Sequence, residues 1–198
     1  MTEDPDLPTP AARARVASLV LITALTAGPG AASVPPPSSV SPTLQAQVEA
    51  QPYRIGDWAG FRPLAVTSLD ILMLGEAGEA DTGDLDLARP LLTVAVSASP
   101  SPAVVAREAF ARRALEFVPF VSGIVAQSAG TVRRGGAEWH ETVGRARSPS
   151  DREVVVFQSI RFGAPGTPYL RVVGLAPLET RDDVLPRFRL LARSITPR

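Results

Sequence analysis

The sequence predicts an α+β domain, a twisted antiparallel sheet with two packed helices, and three observations lead there. Four β-prone runs, roughly 124–134, 137–147, 152–162 and 169–176, are separated only by "GG", "SPSD" and "GAPGTP". Connections this short close hairpins and cannot hold the crossover that a parallel pair requires. Two other segments, 99–120 and 181–195, repeat apolar residues every three or four positions, the period of a helix with one buried face. A hydrophobic content of 45% against 20% charged residues supplies enough apolar material for a core.

The chain before that domain reads differently. Arg13 and Arg15 precede the uncharged stretch Val16–Ala27, which gives way to Gly28-Pro29-Gly30 and the small residues Ala31-Ala32-Ser33. A charged start, a short apolar middle and small residues at the cut form the pattern of an export signal, here residues 1–33. At about 1.5 Å per residue the apolar stretch falls well short of a hydrocarbon core of about 30 Å, so no stable membrane span is expected after processing. The acidic start "MTEDPD" departs from the pattern, and the two arginines are not adjacent, as twin-arginine export would need. Residues 34–50 open with "VPPPSSVSP" and read as a Pro/Ser-rich linker. The single α+β domain is then 51–198, and the expected location is periplasmic or secreted.

Within 53–74, breaks at Gly56, Gly60 and Pro63 divide the β-prone residues into two strands. A Gly- and acid-rich loop follows, and "LLTVAVSAS" reads as another strand. In the first helix Ser101 is placed to cap, Pro102 suits the first helical position, and Ala103, Ala106, Phe110, Ala114 and Phe117 make the apolar stripe. Glu108 and Arg112 lie four apart on its polar side. In the last helix Asp183 is placed to cap, which puts Pro186 in the first turn; Val184, Phe188, Leu191 and Ile195 form the buried stripe.

This order, with the meander segment "GGAEWHETVGR…REVVVFQSIRF…YLRVVGLAP" and the closing "FRLLARSI", resembles the PsbP-like α/β/α sandwich family over residues 53–198. The resemblance implies a binding or assembly module and no particular reaction.

Several chemistries are excluded or made improbable by composition. Twenty basic and twenty acidic residues cancel, so no basic face for nucleic acid is expected, and every basic residue is arginine. No cysteine is present, which removes disulfides, thiolate metal sites and cysteine nucleophiles. His140 is the lone histidine. A zinc site built on it would need an almost all-carboxylate shell, and "HETVG" lacks the second His of the helical zinc-protease motif. Strand alternation sets Glu138 and His140 on one sheet face and Glu141 on the other. There is no G-x-S-x-G elbow, and Ser128 and Ser159 fall on predicted strands, so a Ser-His-Asp triad is not expected. No glycine-rich phosphate loop is present either.

The acidic loop holds Glu76, Glu79, Asp81, Asp84 and Asp86, the best candidates for a cation site, although the spacing fails the EF-hand pattern and a solvated loop is expected. Arginines at Arg112-Arg113, Arg133-Arg134 and Arg145/Arg147/Arg152 could meet an anionic partner, but such charge is ordinary at turns and strand ends. Trp58 and Trp139 read as core or cleft-wall residues. If "SPSD" closes a hairpin, Glu138 is expected to oppose Arg161 in a cross-strand ion pair, His140 to oppose Ser159, and Thr142 to oppose Phe157. No catalytic, cofactor-binding or metal residue is assigned, and no cofactor is expected. The expected function is an exported, non-enzymatic envelope protein that binds an unidentified protein or small ligand. The alternatives are a small hydrolase with an unrecognised site, and a membrane-anchored structural protein if the N-terminal segment is retained.

Overall fold

A computed structural model of the chain describes residues 40–76, 87–134 and 137–198. The expected signal segment, the start of the linker and the acidic residues Glu79, Asp81, Asp84 and Asp86 lie outside the described residues. In chain order the elements are helix α1 (Pro42–Glu49), strands β1 (Tyr53–Ile55), β2 (Phe61–Val66), β3 (Leu72–Glu76) and β4 (Leu91–Pro100), helix α2 (Arg107–Ala114), strands β5 (Ser122–Arg134), β6 (Ala137–Arg147), β7 (Glu153–Arg161) and β8 (Pro168–Pro177), helix α3 (Arg181–Ser194) and strand β9 (Ile195–Pro197). Strands β2-β3-β4-β8-β7-β6-β5 form one seven-stranded sheet, antiparallel at every pairing, while β1 and β9 form a small second one. The protein is α+β, as the sequence predicts, and the four strands of the meander fall within two residues of their predicted ends.

Two strands of the meander are covered on both sides. Every residue of β7 from Val154 to Ile160 is buried, as is β8 from Val172 to Pro177. Alternation sends Val155 and Phe157 into the core under α3, and Val154 and Val156 into a second cluster with Leu115 and Val118, just beyond α2. On the α3 side, Gly174 lets the helix approach: a Cβ there would lie 2.6 Å from the ring of the buried Phe188. Phe188 in turn stacks on Phe61 at 5.6 Å and meets Phe157 in a tilted pair at 5.8 Å. On the α2 side Ala111 and Ala114 pack on Ile160 and Phe162, and polar contacts are added to this apolar one. Gln158, wholly buried, donates from Nε2 to the Ala111 carbonyl at 2.8 Å. Arg171 donates to Gln158 Oε1 at 3.1 and 2.8 Å and to the Ala114 carbonyl at 2.6 Å. Burial depresses the Arg171 pKa below its usual value, so these acceptors do the work that water does elsewhere.

Five expectations are corrected. Residues 42–49, read as linker, are helical: Ser41 Oγ accepts the Leu44 N–H and Pro42 takes the first position. Residues 53–76 contain three strands, because Gly60 and the turn at Asp70, both at positive φ, reverse the chain twice. Helix α2 begins only at Arg107, after a 3-10 turn over Val104–Ala106. Ser101 does not cap it; its hydroxyl and backbone bond Gly163, Gly166, Thr167 and Pro168 instead. The delay rotates the helix, so Arg107, Ala111 and Ala114 are buried and Phe117 is 69% exposed. In α3 Val184, Phe188 and Leu191 are buried as expected, but Ile195 is the first residue of β9, the cap position is Thr180, and Pro186 lies past the first turn.

The last correction is the register of β6 on β7. Trp139 opposes Arg161, His140 opposes Ile160, Glu141 opposes Ser159 and Thr142 opposes Gln158. Glu138 and Arg161 therefore sit on opposite faces and form no pair. The loop explains the shift. Ser148 and Arg152 close on each other through Ser148 N–H to Arg152 C=O at 2.9 Å, with Asp151 at φ 60°. That is a three-residue hairpin with a left-handed last residue, which moves the register by one from the expected pairing.

Two tests follow. Gly174→Ala should destabilise the protein by about 1–3 kcal/mol through overpacking against Phe188, measured by chemical denaturation. Tyr53 is buried with its hydroxyl 3.3 Å from the Val94 carbonyl, and burial pushes its phenol above the usual value near 10. The unfolded chain ionises first, so stability should be intact below about pH 10 and decline above it; Tyr53→Phe should remove that share of the alkaline slope.

Candidate functional site

Helix α2 does not cover the whole of its sheet face. Between α2 and strands β5 and β6 lies a cleft of about 190 Å³. Ala111 and Leu115 form the helical wall, Ala126, Ala129 and Thr131 come from β5, and His140 and Thr142 come from β6. The small side chains of β5 keep it open. Glu108 and Arg112 stand at the rim, paired with each other at 3.3 Å as their spacing predicts.

His140 is fixed on both nitrogens. Nε2 lies 3.3 Å from Glu138 Oε1 and Nδ1 lies 3.3 Å from Thr131 Oγ1. A carboxylate only accepts, so in the neutral ring Nε2 carries the hydrogen and Nδ1 accepts from the threonine hydroxyl. The ring packs edge-on against Phe162, 5.2 Å between centroids. Glu138 is also bonded to Arg133 at 3.0 Å and lies 3.9 Å from Arg107. The Arg133 hydrogen bond, helped by His140, holds the Glu138 carboxyl below the usual carboxylate range. Any stability Glu138 contributes is therefore present above that range and lost as pH falls through the lowered value. Arg107 itself donates to the Gly163 carbonyl at 2.6 Å and lies over the Phe162 ring.

Hydroxyl, imidazole and carboxylate follow in the order used for acyl transfer. Three features weaken that use here. Both contacts are longer than the 2.6–3.2 Å of a working relay. Glu138 is shared with guanidinium groups, which reduces its ability to stabilise an imidazolium. Thr131 sits within a strand, not on a turn that would present its hydroxyl.

The remaining candidates are dispersed. Glu138 and His140 share a face, as alternation requires. Glu141 is on the other, where Arg189 and Arg193 of α3 hold it at 3.2 and 2.7 Å. Ser159 is buried on that same opposite face, and Ser128 pairs with Val143, so neither serine meets His140. Glu76 is bound to Arg187 of α3, and among the described residues no group of His, Asp and Glu is arranged to hold a metal. Arg147 pairs with Asp151, while Arg113 and Arg145 are exposed; the side chain of Arg134 lies outside the described residues. Trp139 is core and Trp58 packs against the core. Thr131 and Arg107 are the partners that sequence reasoning missed, because only the pairing of β5 with β6 and the docking of α2 bring them to His140.

Fold and cleft together define an α+β sandwich with helices on both sheet faces and an open pocket beside an edge strand. No protein-family model and no curated protein matches the chain. Among solved structures it is similar to PA94, a protein of unknown function from Pseudomonas aeruginosa, at 15% identity over 69% of this chain and 89% of that one, with a TM-score of 0.49. It is also similar to the cyanobacterial PsbP of Synechocystis, at 13% identity over 71% and 94%, TM-score 0.44. The Ran-binding protein Mog1p of Saccharomyces cerevisiae is similar at 11% identity over 70% and 86%, TM-score 0.46.

His140→Gln should keep the fold and lose at most about 1–2 kcal/mol, since an amide replaces one of the two ring contacts. Circular dichroism with a denaturant titration measures this, and a non-native spectrum would refute it.

Proposed function

We propose that the protein is an exported, non-enzymatic module of the cell envelope that binds a protein or small ligand at the cleft between α2 and β5–β6. The observation that carries the reading is the surface itself: a 13-residue edge strand, exposed along most of its length, beside an open cleft lined by small side chains. The charged groups around the cleft are engaged with one another, as Glu138 is with Arg133 and Glu108 with Arg112, and so serve the architecture. Export is supported by the order of arginines, apolar stretch and small residues over positions 13–33. Among the described residues no helix is long and apolar enough to cross a membrane.

A second reading, a small hydrolase, is favoured by the Thr131–His140–Glu138 chain alone. Two measurements separate the readings. A photo-reactive residue at Ala129, expressed in the native host, should cross-link to an envelope component, and intact mass should show a chain lacking about the first 30 residues. Recovery of the intact Met1 form in soluble cytoplasm would overturn export. Turnover of simple esters that both His140→Gln and Thr131→Val abolish, in folded protein, would replace the binding reading by the hydrolase.

A further inference from the structure

We propose that the outer edge of β5, from Ser128 to Arg133, takes an extended peptide segment of a partner protein by strand addition, the segment being neutral in its middle and acidic at both ends. This rests on the binding-module reading and specifies its partner.

The sheet ends in two edge strands, β2 and β5. Strand β2 is blunted: it has six residues, contains Pro63, and is irregular between Pro63 and Ala65. Strand β5 has no proline and no acidic residue. Its two irregularities fall between Ser122 and Ser128. From Ser128 onward it pairs residue for residue with β6, so its outer row of N–H and C=O groups is regular and free of other described elements. Such a row is a template for another strand.

Side chains on either side of that template set what the incoming strand carries. Toward α2, a residue laid beside Ala129 and Thr131 would point into the cleft, whose volume of about 190 Å³ and walls of Ala111 and Leu115 suit one aliphatic side chain. On the other face lie the small residues Ser128 and Gly130. At one end stands Arg133, paired with Glu138 on its inner side yet with its side chain 84% exposed, so that its outer donors face the incoming strand. At the other stands Arg145, which opposes Val125, is exposed, and makes no ion pair among the described residues. Val125 beside it is 64% exposed. A segment of roughly six to eight residues spans these two cations at about 3.3 Å per residue.

The same charges argue against a second copy of this chain as the occupant. Two β5 strands paired about a twofold near Ser128 would bring Arg133 of one copy toward the end marked by Arg145 and Arg147 in the other. Like charges brought together across strands are destabilising. Acidic residues at both ends of a partner segment complement both cations.

The test uses the purified full chain and fluorescent nonapeptides with an Ala-Val centre, flanked by Glu or by Lys, read by anisotropy. The Glu-flanked peptide should bind at least tenfold more tightly. Methylating its backbone nitrogens at alternate positions should abolish binding for one parity and spare it for the other, as a strand paired along one edge demands. Arg133→Glu with Arg145→Glu, both at exposed sites, should reverse the preference toward Lys. Equal binding of both peptides, or no difference between the methylation parities, would overturn strand addition. So would concentration-dependent dimerisation of the chain that competes with the peptide, which would assign the edge to a second copy. The cross-link from Ala129 separates the two levels: if it forms in the envelope while the peptides fail, the binding reading stands without strand addition; if both fail, the binding reading falls too.

Discussion

A half-buried guanidinium at the centre of the sheet, with no carboxylate beside it among the described residues, helps set one side of this protein. Arg171 projects from β8 toward α2 and finds only neutral acceptors, the Gln158 side chain and the Ala114 carbonyl. Its Nε and Nη2 donors take these acceptors, and the bond to the Ala114 carbonyl ties the end of α2 to β8. The negative end of the helix dipole falls on the same spot and favours the charge. With Gln158 holding the Ala111 carbonyl as well, the C-terminal half of α2 is bolted to the sheet by polar contacts.

That anchoring decides where the helix does not reach. α2 has only eight residues, and fixed over β7 and β8 it leaves β5 and part of β6 uncovered on that face. The cleft is the gap between them, and the His140 cluster is its floor. Arg107, at the start of the same helix, reaches Glu138 and Gly163, so the cluster and the helix support each other. On the opposite face the logic is apolar: Phe188 seated on Gly174, with Glu141 held by two arginines of α3 at the margin. Helices on both sides leave only the sheet edges, and of those β5 is the one without a proline to blunt it.

Much of this was legible in advance, and the misses share a cause. The meander was readable because β-prone runs of nine to thirteen residues are bounded by short turns, and the two-residue period correctly set Glu138 and His140 on one face. The stripe of α3 was readable for the same reason at helical period. Helix α1 carries a capping signature in Ser41 and Pro42, yet the Pro/Ser composition around it outweighed that short signal. The stripe of α2 was misassigned because Ser101 found better partners in the loop 163–168 than at the helix start. The Glu138–Arg161 pair was lost to a single left-handed residue, Asp151, in a hairpin loop.

The sequence by itself determined the four strands of the meander, which side of each strand a residue faces relative to its own neighbours, and that cysteine chemistry is closed to this protein. These are local or compositional properties, carried by the two-residue period of the strand and by residues present or absent. Only the tertiary structure decided that Thr131 and Arg107 join His140 and Glu138, that Arg171 is satisfied by a helix 57 residues away in sequence, and that β5 is an edge. Each depends on register or docking between distant segments. One loop torsion shifts a register by a residue, and the demands of a buried charge place a helix, so neither is encoded in any window of neighbouring residues.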